Sequence, residues 1–404
     1  MSRLKALIFT RKYTVSNQLT HIDFFSGPGG FCTGLKAAGF ETLAAVEKVE
    51  SCVETYRGNH PEVRVIHKDI REVKVEDFDF LDGKTIDLIT SGMPCETFST
   101  AGSKSRSSYD HRQQLYYETI RLASALKPRI ILFENVMGIL SKRTIKGSDR
   151  LIIDDIHDDL AEIGYTHFIE TVLDCTDFGI PQTRKRYFLM ATYDESLALK
   201  SPISTHENIV TVEDAFAKLP FIEANQQENH SGYVEGESSE YVNVLRDVEF
   251  WQSPHSSNEK LTYHKAPNHR PNTIERFKLI KHGENLKDAF TKHSESELKS
   301  LQERKILPKK WFIQRNMRLT PNKASKTVTS HCLDELIHPA LNRALTVREV
   351  ARLQSFPDHY TFSGGPYICP HMYEMQDKYE QIGDAVPPIL AYNWGKTISE
   401  ILSE

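Results

Sequence analysis

Short apolar runs alternate with longer helical patterns along the first half of the chain. The apolar runs predict strands, and the segments between them carry the three- to four-residue spacing of helices. The predicted strands cover 19–25, 43–46, 63–66, 86–90, 130–134 and 187–190. The predicted helices of this half cover 30–39, 51–59 and 113–126. Strands that alternate with helices are typical of an open parallel sheet with helices on both faces.

The pattern changes near residue 195. Residues 195–325 are more polar and less regular, and helical spacing returns at 345–356 and 389–402. The predicted fold class is therefore α/β, with a doubly wound, mostly parallel, Rossmann-like sheet and a smaller irregular domain. We place the first domain at 1–194, completed by 378–404, and the second domain with its hinge at 195–377.

The composition is that of a soluble globular protein, with 39% hydrophobic and 26% charged residues among 404. No apolar run approaches the ~18 residues of a membrane span, and the amino terminus lacks the long apolar region of a secretory signal. The six cysteines occur singly, which argues against a structural metal site or a disulfide framework. We expect a cytoplasmic protein with free thiols, no metal ion and no membrane partner.

Charge is distributed unevenly, although the formal net charge is only -5. Residues 201–260 hold 3 Lys and Arg against 11 Asp and Glu, whereas residues 261–330 hold 16 against 6. A basic block of this size is either a solvated face or a phosphate-binding surface, and composition does not decide between them.

A glycine-rich turn, Ser26-Gly27-Pro28-Gly29-Gly30, follows the first predicted strand. Open parallel sheets bind ligands at the carboxyl ends of their strands, where such glycines let backbone N–H groups approach a ligand. The turn lacks the Gly-Lys-Ser/Thr of a Walker A loop, and Cys32 interrupts the full GxGxxG pattern. It is either a tight structural turn or a nucleotide-binding loop. Glu47 and Asp69, which follow the next two strands, favour the nucleotide interpretation.

Cys95 follows Pro94 at the end of another predicted strand. A lone cysteine is usually inert packing, but this position and the polar, cationic segment 101–108 suggest a reactive thiolate. Glu134 ends the strand 130–134 and is either a cap for a following helix or a general acid.

Two arginines, Arg184 and Arg186, precede the strand 187–190. They are either a surface edge or a bidentate site for a carboxylate and an oxygen acceptor.

Together these stretches resemble the DNA (cytosine-5) methyltransferase family. DFFSGPGG is similar to its cofactor loop, GMPCETFS to its nucleophile motif, ENV to its acid motif and QTRKR to its arginine motif. RALTVREVARLQSFPD and QIGDAVPP resemble its last two motifs. The resemblance covers about 1–190 and 325–404. Two positions depart from the usual motifs: Met93 replaces a proline, and Asp384 stands where Asn is common.

The resemblance implies an S-adenosylmethionine-dependent methyltransferase fold and transfer of a methyl group to C5 of a flipped-out cytosine. The implied catalytic residues are Cys95, which would add to C6 of the base, Glu134, Arg184 and Arg186. The implied cofactor-binding residues are Phe25, Ser26, Gly27, Gly29, Gly30, Glu47, Lys48, Asp69, Ile70 and Asp384.

Residues 195–377 would then form the target recognition domain, and the basic block would contact phosphates of double-stranded DNA. The predicted DNA-binding residues are Ser99, Lys104, Arg106, Arg270, Arg315 and Arg318, with Asn268, His269 and Asn316 as further candidates. The absence of appended domains favours a stand-alone bacterial or phage enzyme. We expect it to act as a monomer and to protect DNA from a separate cognate restriction endonuclease.

Three alternatives remain. A tRNA cytosine-5 methyltransferase shares the catalytic motifs, but the Cys-Phe-Thr stretch of that branch is absent here. A non-catalytic DNA-binding relative would explain the basic block but not the retained Cys95 and Glu134. An NAD-dependent oxidoreductase would explain the glycine turn and leaves the cysteine and arginine motifs unused.

Overall fold

The fold is described from a computed structural model, which covers residues 18–94, 115–143, 150–226, 232–255, 260–365 and 375–404. Its strands are β1 (Thr20–Phe24), β2 (Glu41–Glu47), β3 (Arg64–His67), β4 (Leu88–Ser91), β5 (Ile130–Asn135), β6 (His167–Asp174), β7 (Gln182–Thr183), β8 (Lys185–Thr192), β9 (Met317–Arg318), β10 (Ser325–Lys326) and β11 (Leu336–Ile337). Seven of them form one sheet in the order β3-β2-β1-β4-β5-β8-β6.

The first five strands of this sheet are parallel, whereas β8 runs antiparallel to both of its neighbours, β5 and β6. This confirms the predicted α/β class with a mostly parallel sheet. The sequence pattern did not reveal β6. That edge strand has only one fully buried residue, Leu173, so it lacks the apolar run that marks the central strands.

The helices of the sheet half are α1 (Gly30–Ala37), α2 (Glu50–Asn59), α3 (Leu115–Leu126) and α4 (Ile152–Glu162). The helices that follow are α5 (Val212–Phe216), α6 (Glu240–Leu245), α7 (Pro271–Lys278), α8 (Leu286–Thr291), α9 (Glu295–Glu303), α10 (Cys332–Glu335), α11 (Val347–Leu353) and α12 (Lys378–Asp384). The chain closes with α13 (Pro388–Ile401). None of the helices in the described ranges is long and apolar enough to cross a membrane.

Alternate side chains of β5 point to opposite faces of the sheet, and both faces are covered. Leu132 belongs to a buried cluster with Leu35 of α1 and Trp394 of α13. Ile131 belongs to a different cluster with Ile120 of α3 and helix α4. A strand that is buried on both faces carries a continuous apolar run, which is why IILF at 130–133 predicted it.

Helix α13 lies directly against α1, so the end of the chain supports the beginning of the sheet. A Cβ atom on Gly34 would lie 2.2 Å from the Pro388 carbonyl oxygen, and one on Gly395 would lie 2.6 Å from Ala38 Cβ. These distances are too short for a side chain, so glycine at both positions allows the two helices to approach closely.

The second half has no large sheet within the described residues: β9 pairs with β11, and β10 pairs with β7 of the sheet half. Its main apolar cluster joins residues of α5, α6, α11 and α12. Buried ion pairs accompany that cluster: Arg343 donates to both oxygens of Glu349 at 2.8 and 2.7 Å. Polar groups therefore fix the packing of a region that has little regular secondary structure.

Candidate active site

Glu134, Arg186 and the glycine turn lie at one edge of the sheet. Phe24 of β1 and Phe133 of β5 both lie beside Ser91, the last residue of β4. The carboxyl ends of these parallel strands therefore meet. Because β8 is antiparallel, its first residues reach the same edge, and Phe188 lies opposite Glu134.

Glu134 and Arg186 form an ion pair at this edge, with Arg186 Nε 2.9 Å from Glu134 Oε1. Both side chains are about nine-tenths buried, at 10% and 12% exposure. The short 3-10 helix that follows is N-capped by Val136 without a side-chain hydrogen bond, so Glu134 does not cap it. A buried carboxylate next to a guanidinium offers an acceptor and donors within a few ångströms, which suits recognition of a polar base edge.

The glycine turn after β1 is open on its outer side. Gly27 has a φ of +53°, and a Cβ atom there would meet no atom within 4 Å. Phe25 has the same positive φ. The Ser26 hydroxyl is buried without a hydrogen-bond partner among the described residues. At Gly30, by contrast, a Cβ atom would lie 2.1 Å from the Val386 carbonyl oxygen, so the turn rests on the segment before α13.

Glu47 ties the end of β2 to this turn. Its Oε2 accepts a hydrogen bond from Gly27 N at 2.8 Å, and its Oε1 accepts from Lys48 N and Val49 N, each at 2.8 Å. Burial raises the pKa of Glu47, while these backbone donors oppose the shift. Oε2, which accepts only the Gly27 hydrogen bond, retains a lone pair for a further donor.

Asp69 lies at the rim beyond β3. It accepts hydrogen bonds from Arg71 Nε at 2.9 Å and Nη2 at 2.7 Å, and the hydrogen bonding to Arg71 lowers the pKa of Asp69 to about 2. The Lys48 ammonium is 3.8 Å away. The Ile70 side chain, however, is buried in the apolar cluster below.

Asp384 reaches the same region through Gln376. Gln376 Nε2 donates to Asp384 Oδ2 at 3.1 Å, and the Cys52 thiol donates to Gln376 Oε1 at 3.2 Å. Burial raises the pKa of Cys52, and the carboxylates of Glu47 and Asp384 add to that shift. Asp384 and Glu47 are therefore near the same thiol.

Arg184 occupies a different place from Arg186. It is 1% exposed, and its guanidinium donates to the backbone carbonyls of Val328 at 2.7 Å, Gly383 at 2.9 Å and Ala385 at 3.1 Å. It clamps the arginine segment to the segment that carries Asp384. This geometry favours a positioning role for Arg184, and the catalytic role given to it from the sequence stays a prediction.

Sequence reasoning missed Tyr360, which contacts the glycine turn from the second half. Its hydroxyl donates to the Pro28 carbonyl at 2.5 Å and lies 2.9 Å from where a Cβ atom on Gly29 would stand. Thr33 Oγ1 donates to the Gly29 carbonyl at 2.7 Å. His60 Nε2 lies 3.1 Å from the Thr33 hydroxyl and 3.2 Å from the Tyr360 hydroxyl. Because both hydroxyl hydrogens point to carbonyls, we assign the imidazole proton to Nε2.

Asp23, directly below the turn, was also missed. It is 1% exposed and accepts a hydrogen bond from Thr90 Oγ1 at 2.7 Å. Burial raises the pKa of Asp23 to about 7. The signal was present in the sequence, because a carboxylate interrupts the apolar run of β1.

Four of the predicted site residues lie in the segment 95–114, outside the described residues. They are Cys95, Ser99, Lys104 and Arg106. The described chain ends there at Pro94, two residues after Gly92 and close to the end of β4.

The predicted DNA-binding residues of the second half divide into two groups. Arg270 and Arg315 are exposed, and Arg315 Nη2 is 3.5 Å from Asp334 Oδ2. The prediction that Arg318 binds DNA is corrected. Arg318 is 6% exposed and donates all five of its N–H groups to acceptors inside the protein, so it cannot also hold a phosphate. Asn316 is likewise buried and donates to the Asp334 carbonyl at 2.9 Å.

Comparisons with known proteins identify the family of the chain. A family model described as C-5 cytosine-specific DNA methylase matches residues 19–400. Type II methyltransferase M.DdeI of Desulfomicrobium norvegicum is 32% identical over 383 residues, 94% of this chain and 88% of that relative. Type II methyltransferase M1.HphI of Haemophilus parahaemolyticus is 30% identical over 386 residues, 95% and 87% of the two chains.

A solved structure gives the same result. A DNA modification methyltransferase encoded within a prophage of E. coli matches with a TM-score of 0.71 and 26% identity, over 96% of this chain and 100% of that one. The matches span the sheet, the Glu134–Arg186 edge and the second half alike. The chain belongs to the C-5 cytosine-specific DNA methylase family.

Proposed function

We propose that this DNA cytosine-5 methyltransferase is a Type II restriction-modification enzyme that uses S-adenosyl-L-methionine to methylate a cytosine within a short double-stranded sequence. The observation that supports the proposal most directly is the buried Glu134–Arg186 ion pair, at the same sheet edge as the glycine turn and Glu47. A methyl transfer needs the base and the methyl donor side by side, and this edge offers a polar site for each.

The residues of the turn fit S-adenosylmethionine. The open space over Gly27 allows a ligand to approach the backbone, and the unpartnered Ser26 hydroxyl remains for a polar group. Glu47 would accept the ribose hydroxyls, while Lys48, Asp69 and Asp384 would line the rim, with Phe25, Gly29, Gly30 and Ile70 shaping the site. When bound, the cofactor supplies an electrophilic methyl group on a positively charged sulfur.

The chain's own residues would activate the base. The Cys95 thiolate would form a bond to C6 of cytosine, which makes C5 electron-rich enough to accept a methyl group. Glu134 would donate a proton toward N3 and accept from the exocyclic amino group, and Arg186 would donate to O2. Loss of the C5 proton to a base then restores the ring as the C6–sulfur bond breaks and the thiolate leaves.

A stacked and paired cytosine does not expose C6 to a protein thiolate, so the base would be flipped out of the duplex. We assign residues 195–377 to target recognition, with Arg270 and Arg315 on phosphates and with Ser99, Lys104 and Arg106 near the flipped base. The relatives are named Type II methyltransferases, which supports a separate cognate endonuclease as the functional partner. We expect the enzyme to act as a monomer in the cytoplasm.

Bisulfite sequencing of genomic DNA from a methylation-free bacterial host that expresses the chain tests the proposal. We expect protected cytosines in one short sequence context, and none with the Cys95→Ala variant at equal soluble expression. Complete conversion of the DNA would contradict the proposal. Protected cytosines in tRNA alone would redirect it to the tRNA-modifying alternative.

A further inference from the structure

Three consecutive large hydrophobic residues are exposed in the loop between α9 and β9. Trp311, Phe312 and Ile313 are 41%, 60% and 54% exposed, and we call them the apolar tip. Other exposed large hydrophobic residues in the described ranges occur singly along the chain. Single exposed apolar side chains are common on soluble proteins, whereas a contiguous run usually marks a contact surface.

The base of this loop is fixed, so the tip is held outward. Leu307 precedes it and is 1% exposed in an apolar cluster with Leu286 and Ile337. On the other side, Asn316 donates to the Asp334 carbonyl through both its backbone N, at 3.1 Å, and its side-chain amide, at 2.9 Å. Because both ends of the loop are anchored, less conformational entropy is lost when a partner binds the tip.

Cations surround the tip. The Lys287 ammonium lies 5.3 Å from the centre of the Trp311 ring, and the Arg315 guanidinium lies 5.9 Å from that of Phe312. Lys309 and Lys310, both exposed, directly precede Trp311. A partner with closely spaced negative charges and flat apolar faces between them matches this arrangement, and nucleic acid has both features.

We propose that the apolar tip contacts the bases of the DNA substrate while Lys287, Lys309, Lys310 and Arg315 contact the flanking phosphates. This inference rests on the proposed function. Phosphate contacts position a protein on DNA but carry no sequence information. Contacts of apolar side chains do depend on the sequence, because these side chains pack on thymine methyl groups or wedge between base steps that separate easily. The tip therefore contributes to selection of the target sequence.

Tryptophan fluorescence provides a direct test. Of the three tryptophans in the chain, Trp251 and Trp394 are 2% and 0% exposed, so Trp311 dominates quenching by acrylamide. Acrylamide is neutral, so phosphate charge alone does not exclude it. With saturating duplex DNA that the wild type methylates, we expect the quenching constant to fall about twofold or more. Heparin, an anionic polymer without bases, should leave it nearly unchanged.

Unchanged quenching at DNA saturation, confirmed by anisotropy, would overturn the inference. Equal protection by heparin would also overturn it, since bases would then be unnecessary. Protection by anionic lipid vesicles but not by DNA would point to a membrane surface, and protection that grows with protein concentration alone would point to a second copy of this chain. Either result overturns the inference.

A combined Phe312→Ala and Ile313→Ala variant provides the second test. We expect kcat/KM on the target sequence to fall about tenfold, with non-specific DNA affinity changed less than about threefold. Val75→Ala is the matched control, because Val75 is 41% exposed in the sheet half, outside residues 195–377, and its substitution should leave both values unchanged. Full activity of the double variant would overturn the inference. Failure of the wild type to methylate DNA would overturn the proposed function instead, so the two failures are distinguishable.

Discussion

Arg186 Nε lies 2.9 Å from Glu134 Oε1 although the two residues belong to strands that run in opposite directions. The reversal of β8 is what makes the contact possible. A parallel strand at that position would carry its first residues to the opposite edge of the sheet, far from Glu134. The exception to the parallel pattern therefore assembles the polar pair that we assign to the base.

Glu134→Gln and Arg186→Lys should each lower the rate of methyl transfer by about 10²-fold or more. Glu134→Gln removes the carboxyl proton that would be transferred to the base, and Arg186→Lys removes the planar guanidinium with its paired donors. Single-turnover kinetics with saturating DNA measures this rate. Glu404→Gln, which breaks an exposed pair with Lys200, is the control and should have the wild-type rate. A rate within about twofold of wild type for Glu134→Gln would exclude Glu134 from proton transfer.

Asp23 should make the folded state less stable as pH rises. Its pKa is raised to about 7 in the folded protein, whereas an unfolded aspartate titrates near 3.9. The folded state therefore keeps a proton that the unfolded chain has lost, and the stability that this proton provides, complete below about pH 4, disappears as pH rises to about 7.

Asp23→Asn should lack this dependence. Between pH 5 and pH 8, the free energy of unfolding of the wild type should fall by roughly 2 to 3 kcal/mol relative to that of the variant, measured by urea titration. The exposed Asp79→Asn control should follow the wild type. Parallel pH profiles for wild type and Asp23→Asn would show that Asp23 ionises normally.

Gly30→Ala and Gly58→Ala should have opposite effects. A Cβ atom on Gly30 would lie 2.1 Å from the Val386 carbonyl oxygen, so the substitution must displace the turn or α13 and should weaken S-adenosylmethionine binding. At Gly58, within α2, the nearest atom would be Thr361 Oγ1 at 3.5 Å, so alanine should stabilise the protein by ~0.5–1 kcal/mol. Thermal unfolding and calorimetric titration of the cofactor separate the two effects. Unaltered cofactor affinity in Gly30→Ala would contradict the tight contact.

Asp384→Asn should tighten cofactor binding. The carboxylate of S-adenosylmethionine would then meet one negative charge fewer at the rim, where Asp384 accepts from Gln376 at 3.1 Å. An exposed charge interaction is worth ~0.5–1 kcal/mol, so the affinity should rise about two- to fivefold at low salt. Calorimetry without DNA measures it, and Glu54→Gln, a charge change on the outer side of α2, is the control. An equal gain in cofactor affinity in both variants would indicate that the lower negative charge of the whole protein, and not the loss of the Asp384 carboxylate, is the cause.

The sheet was largely predictable because central strands of a doubly wound fold are buried on both faces. IILF at 130–133 has no other plausible role, and the turn that follows Phe25 needs its glycines at the carboxyl edge. Edge strand β6 was not predictable, since five of its eight residues are only half-buried and two are exposed. The direction of β8 was not predictable either, because an apolar run does not encode strand polarity.

In the second half, residue type was a poor guide to location. Arg318 and Asn316 carry the donors that DNA recognition requires, yet both satisfy backbone carbonyls in a region short of regular hydrogen bonding. A sequence search for polar recognition residues also passed over Trp311 and Phe312, which look like core residues but are exposed. Only tertiary contacts distinguish these cases.

The close packing of α13 on α1 has a consequence for synthesis of the protein. Gly30 and Gly34 rest on residues 386–388, which the ribosome adds long after the turn itself. A nascent chain that has exposed the whole sheet half still lacks the support behind its glycine turn. We expect the enzyme to acquire its cofactor site only after residues 386–388 have left the ribosome, so a polypeptide truncated before them would occupy no target and modify no DNA.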